Sequence, residues 1–111
     1  MSTPPSSSEE YGSLSEFRAE LAEALEDTLV LANDWRVKTV NLSWDNLPAA
    51  HQEVALALIR EVAEAEVSAH PMAQVLFEFN AVPPDLADLM NVLVALNPRL
   101  RYVENEERSL P

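Results

Sequence analysis

Two histidines, nineteen carboxylates and no cysteine bound the chemistry open to this chain. His51 and Glu53 form an H-x-E, the spacing with which zinc deaminases set a metal-bound water beside a general acid–base. That chemistry takes two downstream cysteines as further ligands, and the chain has none. A helical H-E-x-x-H zinc site needs a second histidine one turn on, where Ala55 stands. His70 precedes Pro71 at an expected helix C-terminus, where the helix dipole favours a protonated imidazole. Glu78 is the acid inside an apolar run, between Phe77 and Phe79. Buried, it would have a raised pKa and become a candidate acid–base; on the less buried face of a strand it is a solvated side chain. Asp85 and Asp88 suit the positive start of a helix, and Glu53, Glu61 and Glu64 suit surface pairing near Arg60. No catalytic residue, metal ligand set or cofactor is expected.

Glycine sharpens that expectation. The only one is Gly12, and phosphate-cradling loops and nucleophile elbows need glycine where the backbone turns sharply or approaches a ligand. P-loops, dinucleotide fingerprints and G-x-S-x-G turns are excluded in their usual forms.

The net charge of -12 bears on partners. So acidic a chain is repelled by phosphate backbones and by anionic membrane surfaces, so no nucleic acid and no membrane is expected. The longest apolar run, Val54 to Ile59, is far shorter than the roughly 20 residues that span a bilayer. With no apolar stretch in the first thirteen residues, a cytoplasmic location is the simplest reading. The acidity either keeps a small protein soluble or matches a basic partner.

These side chains need elements to position them. Residues 1–12, rich in Pro, Ser and Glu, read as a flexible leader. Ser13 and Glu16 have capping-box spacing, and Leu14, Phe17, Leu21, Leu25 and Leu29 predict a helix over about 14–31. Glu16, Glu20, Glu23 and Asp27 share its opposite face, either a solvated surface or a docking stripe. Val37, Thr39, Val40 and Leu42 predict a strand over about 36–43, with Trp35 and Trp44 at its ends. Trp44, Asp45 and Asn46 then fall in the loop at the C-terminal end of that strand, where parallel α/β sheets favour ligand sites. Asn46 is the expected cap of a second helix, about 48–68. Its apolar residues span an arc of roughly 220°, where about 100° is enough to dock on a sheet. Either the first helix covers the excess, or Leu56 and Ile59 face a partner or a second copy.

Val75, Leu76, Phe77 and Phe79 predict a strand over about 74–80, apolar enough to be buried on both faces. Pro83-Pro84-Asp85 opens a third helix striped by Leu86, Leu89, Met90, Leu93 and Leu96, which Asn97-Pro98 stops. Leu100, Tyr102 and Val103 make a last strand. The order αβαβαβ predicts one α/β domain over 13–105, a small, mainly parallel three-stranded sheet packed with three helices, with a frayed tail at 106–111.

Three segments carry a family likeness: Val40-Asn41-Leu42-Ser43, Ala81-Val82-Pro83-Pro84-Asp85-Leu86-Ala87-Asp88-Leu89, and Arg101 to Leu110. They resemble, in turn, the strand before the switch loop, the stretch after the penultimate strand, and the closing strand of the STAS domain, the anti-sigma-factor antagonists and their relatives. The resemblance implies a regulatory, protein-binding role. The family's switch serine has no counterpart in Leu47–His51, which holds neither serine, threonine nor glycine, so binding alone carries over. A second set, Val37-x-x-Val40-x-Leu42, Gln74-x-x-Phe77-x-Phe79 and Leu100-x-x-Val103-x-Asn105, is similar to the strands of leucine-rich repeats, at intervals of 37 and 26 residues. That resemblance, too, implies protein binding.

The expected function is a non-enzymatic interaction or regulatory domain that binds a partner protein through Leu56 and Ile59 of the second helix and the Trp44-Asp45 loop. One alternative is an acidic, immunity- or antitoxin-like neutraliser of a basic protein acting through Glu16, Glu20 and Glu23. Another is a small carboxylate enzyme built on Glu78 or His51. A homodimer is compatible with each.

Overall fold

The computed structural model describes residues 13–104; the leader at 1–12 and the tail at 106–111 lie outside them. Helix α1 runs Leu14–Glu26, strands β1 and β2 Leu29–Leu31 and Trp35–Val40, and helix α2 Ala49–Ala69. Strand β3 is Gln74–Phe79, helix α3 Pro84–Leu96 and strand β4 Leu100–Glu104. The protein is α/β, with three helices as expected, but the sheet has four strands in the order β1-β2-β3-β4 and is mixed.

The added strand is the main correction to the expected αβαβαβ order. The leucine spacing runs through Leu29, yet α1 stops at Glu26 and Leu29–Leu31 pairs antiparallel with Trp35–Val37. A three-residue 3-10 turn, Ala32–Asp34, joins the two strands. Asp34 ends that turn with φ at 63°, the left-handed position that closes three-residue hairpin loops and that aspartate tolerates better than most residues. Strands β2, β3 and β4 are parallel neighbours in chain order.

The Ser13–Glu16 box forms as the spacing predicts. The Glu16 amide donates to Ser13 Oγ at 3.1 Å and the Ser13 amide to Glu16 Oε1 at 3.3 Å. Asn46 does not cap α2; the helix starts two residues later than a cap there requires, behind Pro48. Gln52 reaches back instead, its Nε2 donating to the carbonyls of Trp44 at 2.9 Å and Leu47 at 3.0 Å. Arg99 closes the other end of α2, donating to the carbonyls of Val67, His70 and Ala73 at 2.7–3.0 Å.

Residues alternate across the sheet. Register sets Arg36, Lys38 and Val40 of β2 level with Val75, Phe77 and Phe79 of β3, and Leu100 and Tyr102 of β4 with Val75 and Phe77. All three helices lie on this face: Lys38 bonds α1, Arg36 bonds α2, and Tyr102 donates to Asn91 of α3 at 2.8 Å. Val75, Phe77, Phe79 and Leu100 are fully buried here with Ile59, Leu86 and Met90 from the helices. Each such side chain contributes about 1.5–3 kcal/mol by leaving water. Strand β3 is therefore not buried on both faces: Gln74, Leu76 and Glu78 on its other side are only half-buried.

The wide apolar arc of α2 is covered from within. Helices α1 and α3 both pack along it, above the sheet. Ile59 is 0% exposed, so half of the expected Leu56/Ile59 surface does not exist as a surface.

Candidate functional site

Loops at the C-terminal ends of β2 and β3 enclose a cleft. After β2 the chain passes Leu42 and Ser43 into a 3-10 turn, Trp44–Asn46; after β3 it passes Asn80 to Pro83 into α3. Asn80 ties the two loops together. Its Nδ2 donates to the Leu42 carbonyl at 2.9 Å, its Oδ1 accepts from the Leu42 amide at 3.1 Å, and its amide donates to the Val40 carbonyl at 3.2 Å. The side chain thus continues the ladder one step past the strands. This role left no motif in the sequence; an asparagine just past a strand end was its only signal.

Two adjoining hollows result. One, about 350 Å³, runs between the β2 and β3 loops and reaches Glu104. The other, about 190 Å³, lies between Gln52 and Leu56 of α2 and the Pro83–Leu86 start of α3. Trp44, Asp45 and Pro83 line both. The cleft therefore unites Trp44, Asp45 and Leu56 of the expected contact residues and adds Asp85 and Glu104.

Its electrostatics are one-sided. Asp45, Asp85 and Glu104 line it, and among the described residues no lysine, arginine or histidine does. None of the three carboxylates takes part in an ion pair among the described residues. Asp85 lies in the first turn of α3, whose partial positive charge offsets some of its own; Asp45 lies in the short 3-10 turn Trp44–Asn46, and Glu104 ends β4. Trp44 is 4% exposed, and its Nε1–H has no hydrogen-bond partner among the described residues. An unmade bond from a buried donor costs about 1–3 kcal/mol, and such orphans call for an explanation.

The other expected residues lie elsewhere. Glu16, Glu20 and Glu23 are exposed on α1 and do not line the cleft; Glu20 borders a separate hollow between α1 and the end of β2. His51 is buried in the first turn of α2, its ring edge-on to Phe17 with centroids 5.0 Å apart. Glu78 points to the helix-free side of the sheet, so Glu78 and His51 are separated by the sheet and form no joint site. Among the described residues no three His, Asp or Glu side chains gather in a way that could hold a metal ion, and no helix is long and apolar enough to cross a membrane.

A second polar cluster is structural. Lys38, the chain's single lysine, is 3% exposed. Its Nζ donates to the Leu25 carbonyl and to Thr28 Oγ1, both at 2.6 Å, and lies 3.7 Å from Glu66 Oε1. Glu66 also accepts from Arg36 Nε and lies 3.7 Å from His70 Nε2. Burial alone would push the Glu66 pKa up; the Arg36 hydrogen bond and the charges of Lys38, Arg36 and His70 outweigh it and hold the carboxyl below its ordinary value. The cluster fastens the end of α1, the start of the hairpin and α2 together, and no composition or spacing rule had pointed to it.

No family model matches the chain, and it matches no curated protein and no solved structure.

Proposed function

We propose that this chain is a non-enzymatic binding domain whose cleft, at the C-terminal edge of the parallel strands, takes a basic segment of a partner protein. The observation that carries the reading is a cleft lined, among the described residues, by three carboxylates outside any ion pair and by no basic side chain. A lysine or arginine side chain entering it meets Asp45 and Glu104. The buried Trp44 indole N–H supplies a donor for a peptide carbonyl once the loop yields to the incoming chain. Clefts of this kind, beside strand C-termini, are where α/β sheets most often bind ligands. Two of the three segments that resemble STAS domains, Val40–Ser43 and Ala81–Leu89, border this cleft, which supports a regulatory binding role. The neighbour-by-neighbour order of β2, β3 and β4 with helices on one face favours the leucine-rich-repeat likeness, whose implication is also protein binding.

The test is a titration followed by tryptophan fluorescence, with an oligo-arginine peptide against an oligo-glutamate control. The expected result is binding of the basic peptide only, weakening steeply with salt as exposed charge pairs are screened. Changing Asp45→Asn, Asp85→Asn and Glu104→Gln together should abolish it, and Trp44→Phe should weaken it without unfolding the protein. Equal binding by the triple variant would refute the cleft. Loss of binding instead in a Glu16→Lys, Glu20→Lys, Glu23→Lys variant would favour the neutraliser reading, with α1 as its surface.

A further inference from the structure

The other face of the sheet carries no helix among the described residues, yet it exposes large apolar side chains. Leu29, Leu31, Trp35, Leu76 and Val103 lie on it by register. Leu29 is 60% exposed, Leu31 46% and Val103 44%. Val37, at its centre, is buried, and Thr39, Gln74, Glu78 and Arg101 are its polar members, so the exposed apolar area sits on β1 and β4 at the two edges. We propose that it stacks on the same face of a second copy of this chain, forming a twofold dimer of back-to-back sheets. The inference is independent of the cleft, which opens at the strand ends.

Charge argues for a second copy as the occupant. The strand residues of this face include one acid, Glu78, and one base, Arg101, in a molecule of net charge -12. They are diagonal neighbours, Glu78 level with Val103 and Arg101 level with Leu76. A twofold through the midpoint of that diagonal and perpendicular to it sets each against its opposite in the other copy, the self-complementarity an isologous interface requires. The acids of the helix layer do not oppose such a dimer. Stacked sheets lie about 10 Å apart and each helix layer adds about 10 Å, so the acidic outer faces stand roughly 30 Å apart, several Debye lengths of about 8 Å.

Size sets how tightly such a dimer holds. Strands of 3, 6, 6 and 5 residues, at about 3.3 Å per residue and about 4.8 Å apart, give a plan area of roughly 320 Å². Two copies together bury an area on the small side of the roughly 1,200 Å² at the low end of specific interfaces, the range of weak, transient association. The dimer should therefore be reversible and concentration-dependent. Residues 1–12 and 105–111 carry Met1, Tyr11 and Leu110 as their large apolar side chains, fewer than the face presents.

Sedimentation velocity of the full chain, from about 1 µM to about 500 µM, tests the proposal through mass action. The expected result is a shift from 12.3 kDa toward twice that mass as concentration rises. Leu31→Glu with Val103→Glu, at positions already largely exposed, should hold the protein monomeric with its circular dichroism unchanged. Glu78→Arg or Arg101→Glu alone should weaken the dimer about tenfold, and the two together should restore it, because the swap returns opposite charges to both contacts. The charge-swap series decides the matter if the double glutamate variant fails to fold. A monomer at every concentration would overturn the proposal. So would a dimer indifferent to all four variants, which would point to strand pairing along an open sheet edge.

Discussion

Replacing Lys38 by methionine retains the length of the side chain and removes its ammonium. That group makes two hydrogen bonds of 2.6 Å, to the last turn of α1 and to Thr28 at the entrance to β1, and approaches Glu66 at 3.7 Å. A hydrogen bond to a charged group contributes about 1.5–3 kcal/mol net, and stranding one ion of a buried pair costs about 3–5 kcal/mol. Glu66 is not stranded here, because Arg36 remains bonded to it. The variant also escapes the cost of keeping an ammonium out of water. The expected loss is thus about 2 kcal/mol, below the stranded-ion figure. For a domain of this size that corresponds to a fall in Tm of about 8–16 °C. Urea denaturation should show a lower midpoint at constant m. Hydrogen exchange should quicken first at residues 25–31, the segment Lys38 holds against β2. A Lys38→Met protein within about 0.5 kcal/mol of the parent, or one whose exchange quickens evenly along the chain, would refute this account of what fastens α1 to the sheet.

Two further outcomes follow from single residues. Asp34 has φ at 63°, so Asp34→Gly should be neutral or stabilise by up to about 1 kcal/mol, whereas Asp34→Val should cost about 1–2 kcal/mol and loosen the β1–β2 hairpin, measured by denaturant midpoints. The Glu66 carboxyl has a folded pKa below its unfolded one, so its contribution is complete above about pH 4.5 and is lost as pH falls through the folded value. Glu66→Gln should accordingly be less stable at pH 7 and show a flatter fall in Tm below about pH 4.5 than the parent; parallel curves would refute it.

Much of the framework was legible because its causes are local. Prolines at 48, 71, 83, 84 and 98 punctuate the chain beside element ends, and period-two and helical spacing mark β3 and α3. The Ser13–Glu16 box forms within four residues, so spacing alone foretold its bonds. The β1 strand was hidden for the opposite reason. Leu21, Leu25 and Leu29 keep helical spacing, and the contacts that divert the chain at Glu26 come from β2: the pairing of Leu29 with Val37 and the Lys38 bond to the Leu25 carbonyl.

The candidate site divides along the same line. Sequence by itself determined that the chain is acidic, lacks cysteine and a usable glycine loop, alternates helices with strands, and carries Trp44 and Asp45 in a loop after a strand. Only tertiary structure decided that Leu56 and Asp85 meet that loop while Ile59 is buried, and that Asn80 stitches together segments 38 residues apart. It also decided that all three helices share one face of the sheet and leave Leu29, Leu31 and Val103 in water. Side-chain type and spacing constrain which face of an element is apolar, but what covers that face is set by partners distant in sequence.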